Sequence, residues 1–179
     1  MRSSLDAISI RRIRTSDLAG FRSLRLRSLT QDPLAFGSTL AREIAYDEAT
    51  WTSRLQRSAS AEDESIWVAE TGTGTLVGMI GLFSKDTTPQ VYGMWVDPEF
   101  RRRGIGGRLL DTLLAWSLRA NSARPVFLSV NPSQLAAVEL YLSRGFRPTG
   151  VSEPLGHTPG AVVQEMQRIP YPNGELPPR

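Results

Sequence analysis

The chain has 179 residues, of which 40% are apolar and 22% charged, which is enough to bury one substantial core. It has no cysteine and one histidine, which excludes disulfides, thiolate metal sites and a cysteine nucleophile and leaves little room for metal or triad chemistry. The formal net charge of +3 is small. The N-terminus has no continuous apolar segment of signal length and no other stretch approaches the roughly 20 apolar residues of a membrane span, so we expect a cytoplasmic protein.

The chain begins with a predicted strand and helix. Residues 7–13 carry three isoleucines and predict the strand, while 15–17 supply N-cap residues for a helix that runs to about Ser28. Leucines and a phenylalanine form the buried side of this helix. Its arginines are expected on a solvated face: Arg22, Arg25 and Arg27.

The next part of the chain predicts a loop, a helix and two strands. Residues 34–46 show weak periodicity and predict the loop, and 47–57 predict the helix. The strands cover 65–70 and 75–83, and a glycine-containing turn joins them. Because the following strand also comes after a short turn, we expect three successive antiparallel strands.

A strand, a basic glycine-rich turn and a helix follow one another over 90–116. Asp97-Pro98 ends the strand, and the turn spans 101–107. Apolar residues then recur every three or four positions, which is typical of an amphipathic helix: Ile105, Leu109, Leu113 and Trp116. The turn therefore lies at a helix N-terminus, whose unpaired N–H groups and neighbouring arginines predict a phosphate site.

Two common phosphate motifs do not fit this turn. The dinucleotide fingerprint requires a third glycine where Leu109 stands, and the G-K-[ST] of a P-loop is absent. The site therefore belongs to another class of phosphate-binding protein.

The last third of the chain predicts a strand over 126–130, which the preceding crossover helix makes parallel to 90–96. Asn131-Pro132-Ser133 opens a helix that carries Gln134, Val138 and Tyr141 on one side. Strands over 146–151 and 161–169 close the fold. We expect His157, in the loop between them, to be exposed and without a partner that fixes its tautomer. Residues 1–170 are predicted to form one domain, followed by an irregular tail at 171–179.

Two segments resemble the GNAT acyltransferase superfamily. The turn Arg101-Arg102-Arg103-Gly104-Ile105-Gly106 matches its R/Q-x-x-G-x-G/A coenzyme A signature. The later segment keeps five residues of the family pattern N-x-x-A-x-x-L-Y-x-x-x-G-F, namely Ala137, Leu140, Tyr141, Gly145 and Phe146. The resemblance implies an α/β fold with a mixed, mostly antiparallel sheet of about seven strands, one splayed parallel pair and about four helices.

The resemblance also implies the cofactor site. Acetyl-coenzyme A would be held by the strand residues Met94, Trp95 and Val96, by the turn residues Arg101, Arg102, Arg103, Gly104, Ile105, Gly106, Gly107 and Arg108, and by Gln134 and Tyr141. A backbone N–H of the strand would polarise the thioester carbonyl, and Tyr141 would serve the departing sulfur. Gln134 takes the place of the family's asparagine, and Asn131 is not its equivalent.

The acceptor side is less defined by the sequence. In the resembling family the region between the first two helices borders the acceptor, which makes Phe36 a substrate-contacting candidate and Glu43 both a substrate-contacting and a catalytic candidate. The base is left open between Glu43, Glu70 and a water chain. Because the chain has no cysteine, we expect direct attack by a primary amine in a ternary complex, without metal. A small amine, an antibiotic, a polyamine and a protein N-terminus all stay open as acceptors, and so does a homodimer.

Two other classes of function are compatible with parts of the sequence. A noncatalytic module that senses acyl-coenzyme A would keep the turn but not need Tyr141. A nucleic-acid binder would use the turn and first-helix arginines, but no aromatic residues are interleaved with them. The sequence favours the N-acetyltransferase.

Overall fold

The structure, a computed structural model, describes residues 7–85, 88–121 and 124–169. Within these ranges it contains seven strands and five α-helices. In chain order they are β1 (Ile8–Arg12), α1 (Leu18–Gln31), α2 (Leu40–Ile44), α3 (Glu48–Ser60), β2 (Glu64–Thr71), β3 (Leu76–Lys85), β4 (Thr88–Val96), α4 (Ile105–Asn121), β5 (Val126–Val130), α5 (Leu135–Ser143), β6 (Arg147–Pro154) and β7 (Val162–Arg168).

The strands form one sheet in the order β1-β2-β3-β4-β5-β7-β6. Neighbouring strands are antiparallel except β4 and β5, which are parallel. Helix α4 connects these two strands, as a parallel pair requires. The predicted mixed sheet with one parallel pair is confirmed.

The parallel pair separates soon after it begins. Only Gln90 pairs with Phe127 and Val91 with Leu128, although β4 continues to Val96 and β5 to Val130. Beyond Val91, the edge of β4 that faces β5 therefore has no strand beside it. Its backbone N–H and C=O groups border an open cleft instead.

A β-bulge interrupts β4 in the same place. Met79 pairs with Trp95 and Gly81 with Tyr92, so one residue of β3 faces two residues of β4, Gly93 and Met94. Gly93 has a φ of 64°, a conformation that a side chain would strain. The bulge redirects the backbone of β4 at the point where β5 departs from it.

Gly81 packs directly beneath an aromatic ring of the neighbouring strand. A Cβ at this position would overlap Cζ of Tyr92, which stands opposite Gly81 in the ladder. The tyrosine ring thus covers the space that a side chain on β3 would need, as aromatic residues do beside strand glycines.

The core consists of two apolar clusters on opposite faces of the sheet. Ile80 belongs to the cluster under α4 and α5, and its neighbour Met79 to the cluster under α1 and α3. Ile105, Leu109 and Leu113 of α4 are no more than 2% exposed, which confirms the predicted stripe. Each such side chain contributes about 1.5–3 kcal/mol by burial.

The segment predicted as a loop over 34–46 contains α2. Thr39 caps this helix by accepting a hydrogen bond from the Arg42 backbone N–H at 3.2 Å. Helix α1 begins at Leu18, directly after the predicted cap residues, which form the 3-10 turn Thr15–Asp17, and it ends at Gln31 and not at about Ser28. The predicted tail lies outside the described residues. No helix in the described ranges is both long enough and apolar enough to traverse a bilayer.

Candidate active site

Two clefts meet where β4 and β5 diverge. The α4 cleft has a volume of about 490 Å³ and is bordered by the turn before α4, by the second half of β4 and by α5. The α2 cleft has a volume of about 680 Å³ and is bordered by α2, by Arg54 of α3 and by the middle of β4. Both are lined by Ala35, Val91, Tyr92, Gly93 and Ser129, so ligands in the two clefts would come together at the bulge.

The turn before α4 presents backbone N–H groups to the α4 cleft. The N–H of Arg108 makes the first intrahelical bond, to the Gly104 carbonyl at 3.1 Å, so the N–H groups of 105–107 have no helical partner. Arg102 and Gly104 have φ values of 62° and 74°. Left-handed residues of this kind turn successive N–H groups toward one point, which makes an anion-binding concavity.

The arginines of this turn differ in where their side chains go. Arg101 donates to the Val96 carbonyl and to Asp32, Arg103 to the Glu99 carbonyl, and Arg108 to the Ile8 carbonyl. These three side chains bind other parts of the protein in this structure, and the predicted contacts of Arg101, Arg103 and Arg108 with the cofactor stay predictions. Arg102 lines the cleft, is exposed, and has no ion pair within the described part of the chain.

Asp32 ties this turn to the rest of the site. Its Oδ2 accepts hydrogen bonds from Trp95 Nε1 at 2.7 Å and from Arg101 Nη2 at 2.6 Å. Asp32 is the C-cap of α1, so one carboxylate joins α1, β4 and the turn. The side chain of Trp95 thus belongs to the α1 face of the sheet, and only its backbone is available to a cofactor.

Gly106 and Gly107 keep the floor of the α4 cleft open. A Cβ on Gly106 would lie 3.0 Å from Met94 Cε and 3.4 Å from Leu140 Cδ2. A Cβ on Gly107 would lie 2.7 Å from Nη2 of Arg144, which is bound to Asp111. A side chain at either position would require the flexible side chain of Met94 or Arg144 to shift.

Tyr141 reaches the α4 cleft from α5. Its side chain is 7% exposed, and its ring packs edge-on against Phe146 with centroids 5.8 Å apart. The hydroxyl donates a hydrogen bond to Met94 Sδ at 3.4 Å. Burial raises the pKa of Tyr141 well above its ordinary value, so the hydroxyl keeps its proton.

The two amides before α5 have different roles. Gln134 lines the α4 cleft at the start of α5, where the sequence places it. Asn131 is buried, and its Oδ1 accepts hydrogen bonds from the backbone N–H and the hydroxyl of Ser133. Asn131 therefore holds the loop together and is not oriented as a ligand.

Glu43 lies in the wall of the α2 cleft in a buried ion pair. It is 2% exposed, and Arg25 donates to both of its oxygens, with the shortest distance 2.6 Å from Nη2 to Oε1. Burial alone would raise the pKa of Glu43, but the hydrogen bonds and charge of Arg25, with Arg54, hold it below its ordinary value. Such a carboxylate is a poor base. The prediction that Arg25 lies on a solvated face is wrong.

Phe36 lines the α2 cleft, and His157 binds its backbone carbonyl. The Phe36 ring is 4% exposed and packs 4.5 Å from the Arg25 guanidinium carbon. His157 Nε2 donates to the Phe36 carbonyl at 2.7 Å, and Nδ1 accepts from the Thr158 hydroxyl at 2.9 Å. These two hydrogen bonds fix the tautomer of His157, which is half-buried. The expectation that it is exposed and has no partner to fix its tautomer is therefore wrong.

Glu70 is removed from the candidate bases. It lies on β2, lines neither cleft, and binds Arg11 through both carboxylate oxygens at 2.8 Å. Hydrogen bonding to Arg11 lowers the pKa of Glu70 below its ordinary value.

Three features of the site were not predicted. The Arg25–Glu43 pair and the Asp32 bonds join residues far apart in sequence, and nothing in the local pattern signals them. The bulge has a signal, because a lone glycine inside a strand, here Gly93, often marks one.

A splayed parallel pair, a bulged strand and a glycine-rich anion turn, with a buried tyrosine across the cleft, define an acyl-coenzyme A-type transferase fold. Comparison with known proteins agrees: the model of the Acetyltransferase (GNAT) family matches residues 26–146. The chain belongs to the GNAT acetyltransferase family, as its sequence motifs indicate.

Two of the chain's sequence relatives are named as N-acetyltransferases. N-alpha-acetyltransferase RimI of Mycobacterium tuberculosis is 30% identical over 133 residues, which cover 72% of this chain and 82% of RimI. Human N-acetyltransferase 8 is 35% identical over 99 residues, which cover 52% of this chain and 43% of the human protein. The chain is thus similar to enzymes of this family over most of its length.

Solved structures share the fold. A GNAT acetyltransferase from Streptococcus pneumoniae superposes with a TM-score of 0.78 at 21% identity, covering 91% of this chain and 99% of that chain. The YncA protein of Salmonella typhimurium, solved with its cofactor acetyl-CoA, superposes with a TM-score of 0.75 at 16% identity, covering 97% and 98%. The predicted fold class is confirmed.

Proposed function

We propose that the chain transfers the acetyl group of acetyl-coenzyme A to a primary amine by direct attack in a ternary complex. The observation that carries this proposal is the junction of the α4 and α2 clefts at Val91–Gly93 and Ser129. A donor in one cleft and an acceptor in the other would meet there without a covalent enzyme intermediate.

The residues of the α4 cleft fit coenzyme A. The N–H groups of 105–107, which have no helical partner, and the exposed guanidinium of Arg102, which has no ion pair with a described residue, suit a pyrophosphate. The free edge of β4 offers N–H and C=O groups to the amides of a pantetheine arm. The space beside Met94 is narrow, because a Cβ on Gly106 would lie 3.0 Å from Met94 Cε. Gly106 has no side chain and so leaves this space open for a ligand.

The same free edge of β4 supplies electrostatic stabilisation. When an amine attacks a thioester, negative charge grows on the carbonyl oxygen, and a fixed N–H donor stabilises that charge. We assign this role to a backbone N–H of 94–96, beyond the last pair that β4 makes with β5. One such donor is worth about 10²–10³ in rate.

Tyr141 donates a hydrogen bond to the departing sulfur. Its hydroxyl already donates to a sulfur atom, that of Met94, and so is oriented for this type of acceptor. Because burial raises its pKa, complete loss of the proton is unfavourable, and a strong hydrogen bond to the developing thiolate is the larger contribution.

No free carboxylate lines the α2 cleft to act as a base among the residues the structure describes, since Glu43 is bound by two arginines. The attacking amine therefore loses its proton to water. The positive charges of the cleft assist, since one unit charge about 10 Å away at a dielectric constant of about 20 lowers an ammonium pKa by about one unit.

The first test is calorimetric titration with acetyl-coenzyme A, free coenzyme A and ATP. We expect both coenzyme forms to bind and ATP not to bind. Release of free thiol is then followed with amines, including peptides with a free N-terminus, because RimI is an N-alpha-acetyltransferase. Absence of coenzyme binding would overturn the proposal, and binding without turnover of any amine would indicate a noncatalytic sensor.

A further inference from the structure

The α2 cleft carries an excess of positive charge. The charged side chains that line it are Arg25, Arg42, Glu43 and Arg54, and no other Asp, Glu, Lys or His of the described ranges does so. Three guanidinium groups therefore face one carboxylate. A cleft of this composition attracts anions and repels cations.

The single carboxylate is fully engaged by the protein. Arg25 approaches Glu43 at 2.6 Å and Arg54 at 3.5 Å, and the Glu43 side chain is 3% exposed. The next acidic residue along the chain, Asp47, caps α3 by accepting from the Thr50 N–H at 2.8 Å. Glu43 is therefore not free to bind a cationic part of a substrate, and Asp47 does not line the cleft.

Two of the arginines have donors to spare. Arg42 is exposed on α2 and forms no ion pair or side-chain hydrogen bond with any described residue. Arg25 is 5% exposed, and its Nη1 has no hydrogen-bond partner in the described part of the protein. This nitrogen lies 3.8 Å from where a Cβ of Gly93 would be, next to the bulge. Donors without a partner among the described residues thus occur on the exposed Arg42 and on the buried Arg25, close to the bulge.

From this charge arrangement we infer that the acceptor is a primary amine that also bears an anionic group, a carboxylate or a phosphate, which Arg42 binds. The inference rests on the acetyl transfer proposed above. The amine reaches the bulge at Gly93 while the anion stays toward α2. Acceptors with a second ammonium are disfavoured by repulsion, because none of the described residues that line the cleft offers them a free carboxylate.

Matched probes test this preference. Acetylation is measured by thiol release for β-alanine and phosphoethanolamine as anionic amines, β-alaninamide as a neutral one and 1,3-diaminopropane as a cationic one. A second series uses C-terminally amidated peptides with a free N-terminal alanine followed by Glu, Gln or Lys. The two series distinguish a small-molecule acceptor from a peptide acceptor of the same chemistry.

We expect kcat/KM for the anionic probes of one series to exceed that for the cationic probe by at least about tenfold, the ratio that one charge-assisted hydrogen bond produces. Arg42→Glu should abolish or invert this ratio and leave coenzyme A affinity unchanged. The control is Arg119→Glu, because Arg119 is exposed on α4 and lines neither cleft. Equal or better use of cationic probes, or an unchanged ratio in Arg42→Glu, would overturn the inference.

Product binding gives a readout that needs no turnover. N-acetyl-β-alanine and N-acetyl-1,3-diaminopropane are titrated into the protein saturated with coenzyme A. Tighter binding of the anionic product, lost in Arg42→Glu, supports the inference, while equal binding or no binding of either contradicts it. If coenzyme A binds and no amine is acetylated, the proposed function fails, and the product titration still decides the charge preference.

Discussion

At the scale of single residues, Tyr141 is the side chain on which the chemistry depends most. Tyr141→Phe keeps the ring against Phe146 and removes the hydroxyl that now binds Met94 Sδ. We expect kcat to fall by about 10²-fold, the lower range for loss of a proton-donating group, with little change in coenzyme A affinity. Thiol-release kinetics and calorimetry measure the two quantities. Unchanged kcat would remove Tyr141 from the mechanism.

Gly104 matters through its backbone alone. Its φ of 74° is left-handed, and nothing lies within 4 Å of an added Cβ, so Gly104→Ala introduces strain without a clash. We expect a loss of about 1–2 kcal/mol in the free energy of unfolding and weaker coenzyme A binding. Gly156→Ala is the matched control, since Gly156 also has open space but no left-handed φ. Equal coenzyme affinity in the two variants would show that the turn does not need this conformation.

At the scale of elements, the Arg25–Glu43 pair fastens α2 to α1. The pKa of Glu43 is lowered in the folded protein, so its contribution to stability is present above its ordinary pKa of 4.5 and is lost as pH falls below that value. Breaking a buried pair costs about 3–5 kcal/mol when one partner stays charged, so Glu43→Gln should be destabilised at neutral pH. The difference from wild type should shrink as the pH falls.

Denaturant unfolding between about pH 3 and 6 measures this dependence. Glu153→Gln is the control, because Glu153 is exposed on β6 and should leave the pH dependence unchanged. A constant difference between wild type and Glu43→Gln across this range would mean that the pair does not stabilise the fold.

Elements with a regular apolar pattern could be predicted from the sequence, and those held by long-range polar contacts could not. Helix α4 was found because Ile105, Leu109 and Leu113 repeat on one face, and the parallel pair follows from that helix. Helix α2 has five residues and depends on Thr39 and on the bond between Glu43 and Arg25. The local periodicity of the sequence does not predict such contacts.

The same reason explains the errors at the site. The turn and Tyr141 were recognisable because their residues are adjacent or follow a helical spacing. His157 binds a carbonyl 121 positions away, and Arg108 binds Ile8 at a distance of 100 positions. Surface arginines are solvated by default, so only the tertiary structure shows that Arg25 is buried and that Arg108 binds the Ile8 carbonyl.

At the scale of the whole molecule, the sheet has few interstrand residue pairs where the ligand would bind. Strands β4 and β5 share two residue pairs, whereas β2 and β3 are paired along almost their full length. We expect amide hydrogen exchange to show that β5, β6 and β7 open at a lower free energy than β2 and β3.

Coenzyme A should reduce this difference because it would contact both sides of the junction. At a ligand concentration of about 100 times Kd, global stability rises by about 2.7 kcal/mol, and the opening of β5–β7 should become as costly as that of β2 and β3. Exchange measured with and without coenzyme A tests this. Equal protection of the two halves in the free protein would contradict the prediction.

Gly81 and Tyr92 constrain how this sequence can change over generations. A side chain at position 81 is incompatible with the ring above it, so Gly81→Ala alone should be strongly destabilising, yet mild once Tyr92 has become a smaller residue. The order of substitution therefore matters. A lineage can lose the ring first and the glycine afterwards, but the reverse order passes through an unstable intermediate, so the two positions are expected to be inherited as a unit.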